Sequence, residues 1–93
     1  MIRSFKCKET QGIWQGNASR RLPYDVQDRA FRKLRQLNAA RSLQDLKEPP
    51  SNHLEVLKGI RKGRISIRIN NQWRLCFVWD GNNATEVEII DYH

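Results

Sequence analysis

Residues able to bind phosphate and move protons gather in the second half of the chain. The sequence closes on EIIDYH, so Asp91, Tyr92 and His93 follow directly on an apolar run. Upstream, SNHLEVLKG carries His53 and Glu55. From Lys58 to Arg74 there are six basic residues (Lys58, Arg61, Lys62, Arg64, Arg68 and Arg74) and no acidic one. Cleaving RNA without a metal needs this inventory. A base takes the proton of a 2′-hydroxyl, which attacks the adjacent phosphorus, and an acid protonates the departing 5′-oxygen. Cations stabilise the charge that builds on the phosphoryl oxygens. Histidine suits the proton work because its reference pKa lies near neutrality. Arginine suits the phosphate because its planar fork reaches two oxygens at once.

The net charge of +7 agrees with a polyanionic partner. A solvated face that only keeps the chain soluble, or an acidic protein partner, would account for it as well. Ninety-three residues make one domain, residues 1–93, with a modest core. No apolar stretch approaches the length of a bilayer span. MIRSFKCKET lacks the apolar segment of a signal peptide, so a cytoplasmic location is expected. The two cysteines, Cys7 and Cys76, form neither a disulfide framework nor a metal-ligand spacing. Cys76 lies in an apolar run and reads as a small buried hydrophobe. No metal or organic cofactor is suggested.

The elements that must position these groups follow from periodicity. MIRSF reads as a short edge strand anchored by Ile2 and Phe5. CKETQGIWQG reads as a short helix ending near Gly16. Asp25 is placed to cap a long helix in which Val26, Ala30, Leu34 and Leu37 repeat at spacings of 4, 4 and 3. SLQDL adds a short helical turn, and KEPPSN stops it, because two prolines cannot continue a helix. Beyond Pro50 the period falls to two. HLEVL is a short strand, RISIRIN alternates Ile65, Ile67 and Ile69 with Arg64, Ser66, Arg68 and Asn70, and NNQ turns the chain. WRLCFVW sets Trp73, Leu75, Phe77 and Trp79 against Arg74, Cys76 and Val78. DGNN is a hairpin turn. TEVEIIDYH is a last strand with Val87 and Ile89 on one face. Segregated elements in this order predict an α+β fold, with helices on one face of an antiparallel sheet. The other face becomes a basic surface, with Arg64, Arg68, Arg61 and Lys62 as RNA-binding candidates beside Arg74. Trp14 and Trp79 read as structural.

LEVLKG, SIRINNQWRLCFVW and VEIIDYH together resemble the HigB-type toxins of the RelE superfamily, and the resemblance spans the chain. It implies a RelE-like fold, a twisted antiparallel sheet with two or three helices on one side. It implies a ribosome-dependent endoribonuclease that cuts mRNA in the A site, and a HigA-like helix-turn-helix antitoxin as partner. A monomeric free toxin is expected. Arg74 matches the arginine of the family's WR and would contact the scissile phosphate. Lys58 matches a basic residue after the short strand and would bind phosphate or stabilise the transition state. Asp91, Tyr92 and His93 match the closing triad. His93 and Asp91 are its proton-transfer candidates, and Tyr92 would stack on a base or hydrogen-bond the reacting group. The adjacent terminal carboxylate favours the imidazolium of His93, which suits a general acid. Some relatives carry a histidine where this chain has Glu55. Here the histidine is His53, and residues 53 and 55 share a face in a strand, so either is a candidate.

Two other readings compete. A non-catalytic RNA- or ribosome-binding module would use the same basic strands and aromatic residues. A DNA-binding regulator is disfavoured, because no helix-turn-helix pattern with a basic recognition helix is evident. The long helix does carry Arg29, Arg32, Lys33 and Arg35.

Overall fold

A computed structural model describes residues 1–59 and 63–91. Three helices, α1 (Lys8–Trp14), α2 (Tyr24–Ala39) and α3 (Leu43–Lys47), are followed by a 3-10 turn (Pro50–Asn52). Four strands complete the fold: β1 (Glu55–Val56), β2 (Ile65–Arg68), β3 (Trp73–Asp80) and β4 (Asn83–Asp91). They form one antiparallel sheet in the order β1-β2-β3-β4. The α+β arrangement expected from the order of elements is the one observed. No helix among the described residues is long and apolar enough to cross a membrane.

The helical stripe of α2 packs as its spacing requires, with Val26, Ala30, Leu34 and Leu37 all buried. They meet Ile65, Ile67, Leu75, Phe77 and Val87 from the sheet in one core cluster. Asp25 does not cap α2. The helix begins at Tyr24, Pro23 holds the cap position in extended geometry, and no side chain caps it. Asp25 instead sits in the first turn, where its charge complements the helix dipole. Helix α1 is capped by Cys7, a role its sequence context does not announce. Cys7 Sγ accepts from the Thr10 N–H at 3.4 Å. Thr10 is fully buried, and its Oγ1 accepts from the Ile89 N–H at 2.9 Å, tying α1 to β4.

The first residues pair with β4 at two isolated parallel bridges, Ile2 with Ala84 and Phe5 with Val87. The pairing is interrupted where β4 bulges. The register slips between Cys76 and Val78, and Glu86 takes a left-handed φ of 50°. The Glu86 N–H donates to Ser4 Oγ at 2.9 Å. This bulge lets Ala84 and Val87, three residues apart, both enter the core. DGNN is the hairpin turn its residues suggest: Asp80 pairs with Asn83, leaving Gly81 and Asn82 as the two-residue loop. Gly81 takes a φ of 65°, as the first position of a two-residue loop requires.

The sheet face away from the helices is not an open basic surface. Ser66 and Cys76 are fully buried there, and Leu57, Cys76 and Ile90 form a second small core. Leu57 is folded over the sheet by the bond from its N–H to the Arg64 carbonyl, 2.8 Å.

On the helical side, the Lys33 ammonium donates to Asn52 Oδ1. Partial burial, and to a lesser degree the nearby Arg29 charge, lower the Lys33 pKa from 10.5. Between that lowered value and 10.5 the unfolded chain holds a proton that the native chain has released. Unfolding therefore takes up a proton, and stability rises with pH across this alkaline window. Urea midpoints measured through the window should climb more steeply for the parent than for Lys33→Met. Equal slopes would contradict this assignment.

Candidate active site

Strand β2 and strand β3 place Arg68 and Arg74 directly opposite each other on the face away from the helices. Like charges so placed repel, and the local sequence holds them apart. Arg68 turns toward the β2–β3 loop and donates to Asn71 Oδ1. Arg74 turns inward. Its Nε donates to Ser66 Oγ at 2.8 Å, and a terminal nitrogen donates to the carbonyls of His53 and, at 3.3 Å, Ser66. Arg74 is only 9% exposed, so these acceptors fix its guanidinium rather than leave it mobile.

Between the two arginines lies a cleft of about 470 Å³, lined by His53, Leu54, Glu55, Arg68, Asn70, Asn71 and Arg74. Glu55 enters it from β1. Its Cα partner is Ser66, so it stands on the same face as the serine that anchors Arg74. His53 reaches the cleft by a different route from the one expected. It is not in a strand; it ends the 3-10 turn in a left-handed conformation, φ 43° and ψ 55°. The two residues meet at one site, although a shared strand face is not the cause.

The other candidates separate. Lys58 is exposed after β1 and is not among the residues lining the cleft. Asp91 pairs with Trp73 and Ile90 pairs with Arg74, which puts Asp91 on the opposite face of the sheet from the guanidinium. Its Oδ2 accepts from Gln72 Nε2 at 3.2 Å. Arg61, Lys62, Tyr92 and His93 lie outside the described residues.

Arg64 is not a solvated cation. Its guanidinium bonds Glu86 Oε1 at 3.0 Å and the Glu86 carbonyl at 3.1 Å, and lies 3.7 Å from Glu88 Oε2. The Arg64 and Glu88 side chains are 11% and 12% exposed, and Lys6 approaches Glu88 at 3.6 Å. Removing one partner of a buried ion pair strands the other charge. Arg64→Ala is therefore expected to cost about 3 kcal/mol of stability, read from urea unfolding. Arg68→Ala, whose guanidinium bonds an exposed loop side chain, should cost much less. Equal stabilities of the two variants would refute this division of roles.

By residue type NNQ is only a turn. In the structure Asn70 and Asn71 line the cleft, and Asn70 Oδ1 accepts from the N–H groups of Gln72 and Trp73, both at 2.8 Å. An asparagine that bends its own backbone in this way is a recognisable turn device, and it gives the loop its shape. Alternation in RISIRIN places Ser66 on the outward face, yet it is fully buried beneath Arg74. Its role depends on which side chain crosses from the next strand, which alternation alone does not specify.

Residues 3–93 match the family model described as the RelE-like toxin of the type II toxin-antitoxin system HigB. A protein of Vibrio cholerae named Toxin HigB-1 is 41% identical over 80 residues, covering 85% of this chain and 84% of that protein. A Haemophilus influenzae protein is 32% identical over 78 residues, 84% of this chain and 76% of its own length. A Proteus vulgaris protein named Endoribonuclease HigB is 29% identical over the full length of both chains.

Proposed function

The chain belongs to the HigB-like family of RelE-like toxins of type II toxin–antitoxin systems, and on that premise we propose that it is an endoribonuclease that cuts mRNA in the ribosomal A site. The observation that carries the reading is the convergence of two arginines, a carboxylate and a histidine on one cleft. Such a cleft suits a phosphodiester. Arg74, held by Ser66 and the His53 carbonyl, presents a pre-set guanidinium to the scissile phosphate, so no reorganisation is needed as charge develops. Arg68 binds a flanking phosphate. Lys58, Arg61 and Lys62 extend the electrostatic track along the RNA backbone.

The 2′-hydroxyl gives up its proton to a group in the cleft and attacks phosphorus. The bond to the 5′-oxygen breaks, and that oxygen takes a proton from a general acid. We assign the base to Glu55, which shares a face with the anchor of Arg74, with His53 at the rim to orient the sugar. We assign the acid to His93 and base stacking to Tyr92. Asp91, on the other face, holds the end of β4 through Gln72. The reaction draws on no metal. A chain with so few acid–base groups fits an enzyme whose substrate is oriented by the ribosome.

A type II toxin family implies an antitoxin partner, and a HigA-like helix-turn-helix protein is the one proposed, with the toxin acting in the cytoplasm as a monomer when released. The test is mapping of mRNA 5′ ends by primer extension after brief induction. New ends inside coding sequence that disappear when translation is blocked are expected. Growth arrest without new ends would refute the nuclease reading and support a ribosome-binding module.

A further inference from the structure

We propose that Asn52 is a positioning residue for Arg74, linking the helical layer to the cleft on the other side of the sheet. The inference rests on the reading of Arg74 as the phosphate-binding group. Asn52 is fully buried, and its amide is completely engaged. Its Nδ2 donates to Gln36 Oε1 at 2.7 Å and to the Leu46 carbonyl at 2.9 Å, while its Oδ1 accepts from the Lys33 ammonium. Both amide protons are thus used, one toward α2 and one toward α3. An apolar side chain could fill this space, but it would not fix the rotation of the turn. A satisfied buried polar network specifies one geometry.

That geometry is transmitted to the next residue. With Asn52 clamped and its N–H bonded to the Pro49 carbonyl at 2.9 Å, the chain leaves the 3-10 turn through His53 in the left-handed region. A residue with a Cβ rarely adopts this conformation and keeps it only when its surroundings over-determine it. The consequence is that the His53 carbonyl is aimed at Arg74, whose guanidinium donates to it. Arg74 is therefore held from two sides, by Ser66 of β2 and by a carbonyl whose direction Asn52 sets. The clamp touches neither the cleft nor the substrate, so it acts through Arg74.

The test compares Asn52→Ser with Ile13→Ala, a buried substitution in α1 chosen to cost similar thermal stability. Two readouts are taken on each full-length protein. One is turnover of mRNA in a purified translation complex. The other is the Arg74 Nε–H resonance of the free protein, which exchanges slowly with water while its hydrogen bond to Ser66 lasts. In Asn52→Ser, turnover should fall about tenfold at saturating substrate, with little change in half-saturation, and the resonance should broaden. Ile13→Ala should keep both. A folded Asn52→Ser protein that retains turnover and the resonance overturns the proposal. So does an Ile13→Ala protein that loses as much activity for the same loss of stability. Should Asn52→Ser fail to fold, Gln36→Ala removes one arm of the clamp from a half-buried helix position, with the same outcomes expected at smaller size. If the parent cleaves no RNA, the reading of the cleft fails, and the resonance still decides whether Asn52 positions Arg74.

Discussion

Replacing Arg74 by alanine is expected to lower the rate of mRNA cleavage by about 10²–10³-fold, the usual cost of removing a pre-set donor from a site where charge develops. The same substitution should also destabilise the fold. It leaves the buried Ser66 hydroxyl and the His53 carbonyl without the partner they have in the native chain. An acceptor or donor stranded in this way costs about 1–3 kcal/mol. Alanine alone therefore confounds chemistry with folding. Arg74→Lys separates them. Lysine keeps the positive charge but has no fork, so it cannot span Ser66, the His53 carbonyl and a phosphate together. Its rate should fall nearly as far as that of alanine while its urea midpoint stays closer to the parent. A lysine variant with full activity would show that charge suffices and that the fixed guanidinium is incidental.

Removing Tyr92 and His93 should reduce cleavage by about 10²–10⁴-fold, the range for loss of a general acid or base, and abolish growth arrest. The fold should survive. The ladder between β3 and β4 runs to the pair of Trp73 with Asp91, and the Gln72 bond to Asp91 lies within the retained chain. His93→Gln, which keeps the chain length, should reproduce most of the loss. Growth arrest at full strength by the shortened protein would remove the last two residues from the mechanism.

Much of this was legible in the residues because the relevant periods are clean. The stripe of Val26, Ala30, Leu34 and Leu37 specified a helix and its buried face, and the alternation of Ile65, Ile67 and Ile69 specified strand β2 and the face it buries, with Ile69 just past its end. The concentration of arginine, glutamate and histidine after Pro50 marked the stretch whose His53, Glu55, Arg68 and Arg74 line the cleft. What pattern could not supply was pairing. Arg64 and Arg68 look alike in RISIRIN, yet one is buried against Glu86 and Glu88 and the other lines the cleft. The difference arises from a register with β4 that the Glu86 bulge sets, and a bulge leaves no periodic trace. Alternation within β4 does place Asp91 away from Arg74, but that is informative only once the Trp73–Asp91 register is known. Asn52 read as part of a loop after two prolines, because burial of a polar residue is decided by the helices that close over it.

The most direct test of the mechanism uses a purified translation complex carrying a message with a single 2′-deoxynucleotide at the mapped cut. Attack by the 2′-hydroxyl predicts that the all-RNA message is cut, leaving a 5′-hydroxyl on the downstream fragment, and that the deoxy message stays whole. Cleavage of the deoxy message at the same position and rate would contradict the account.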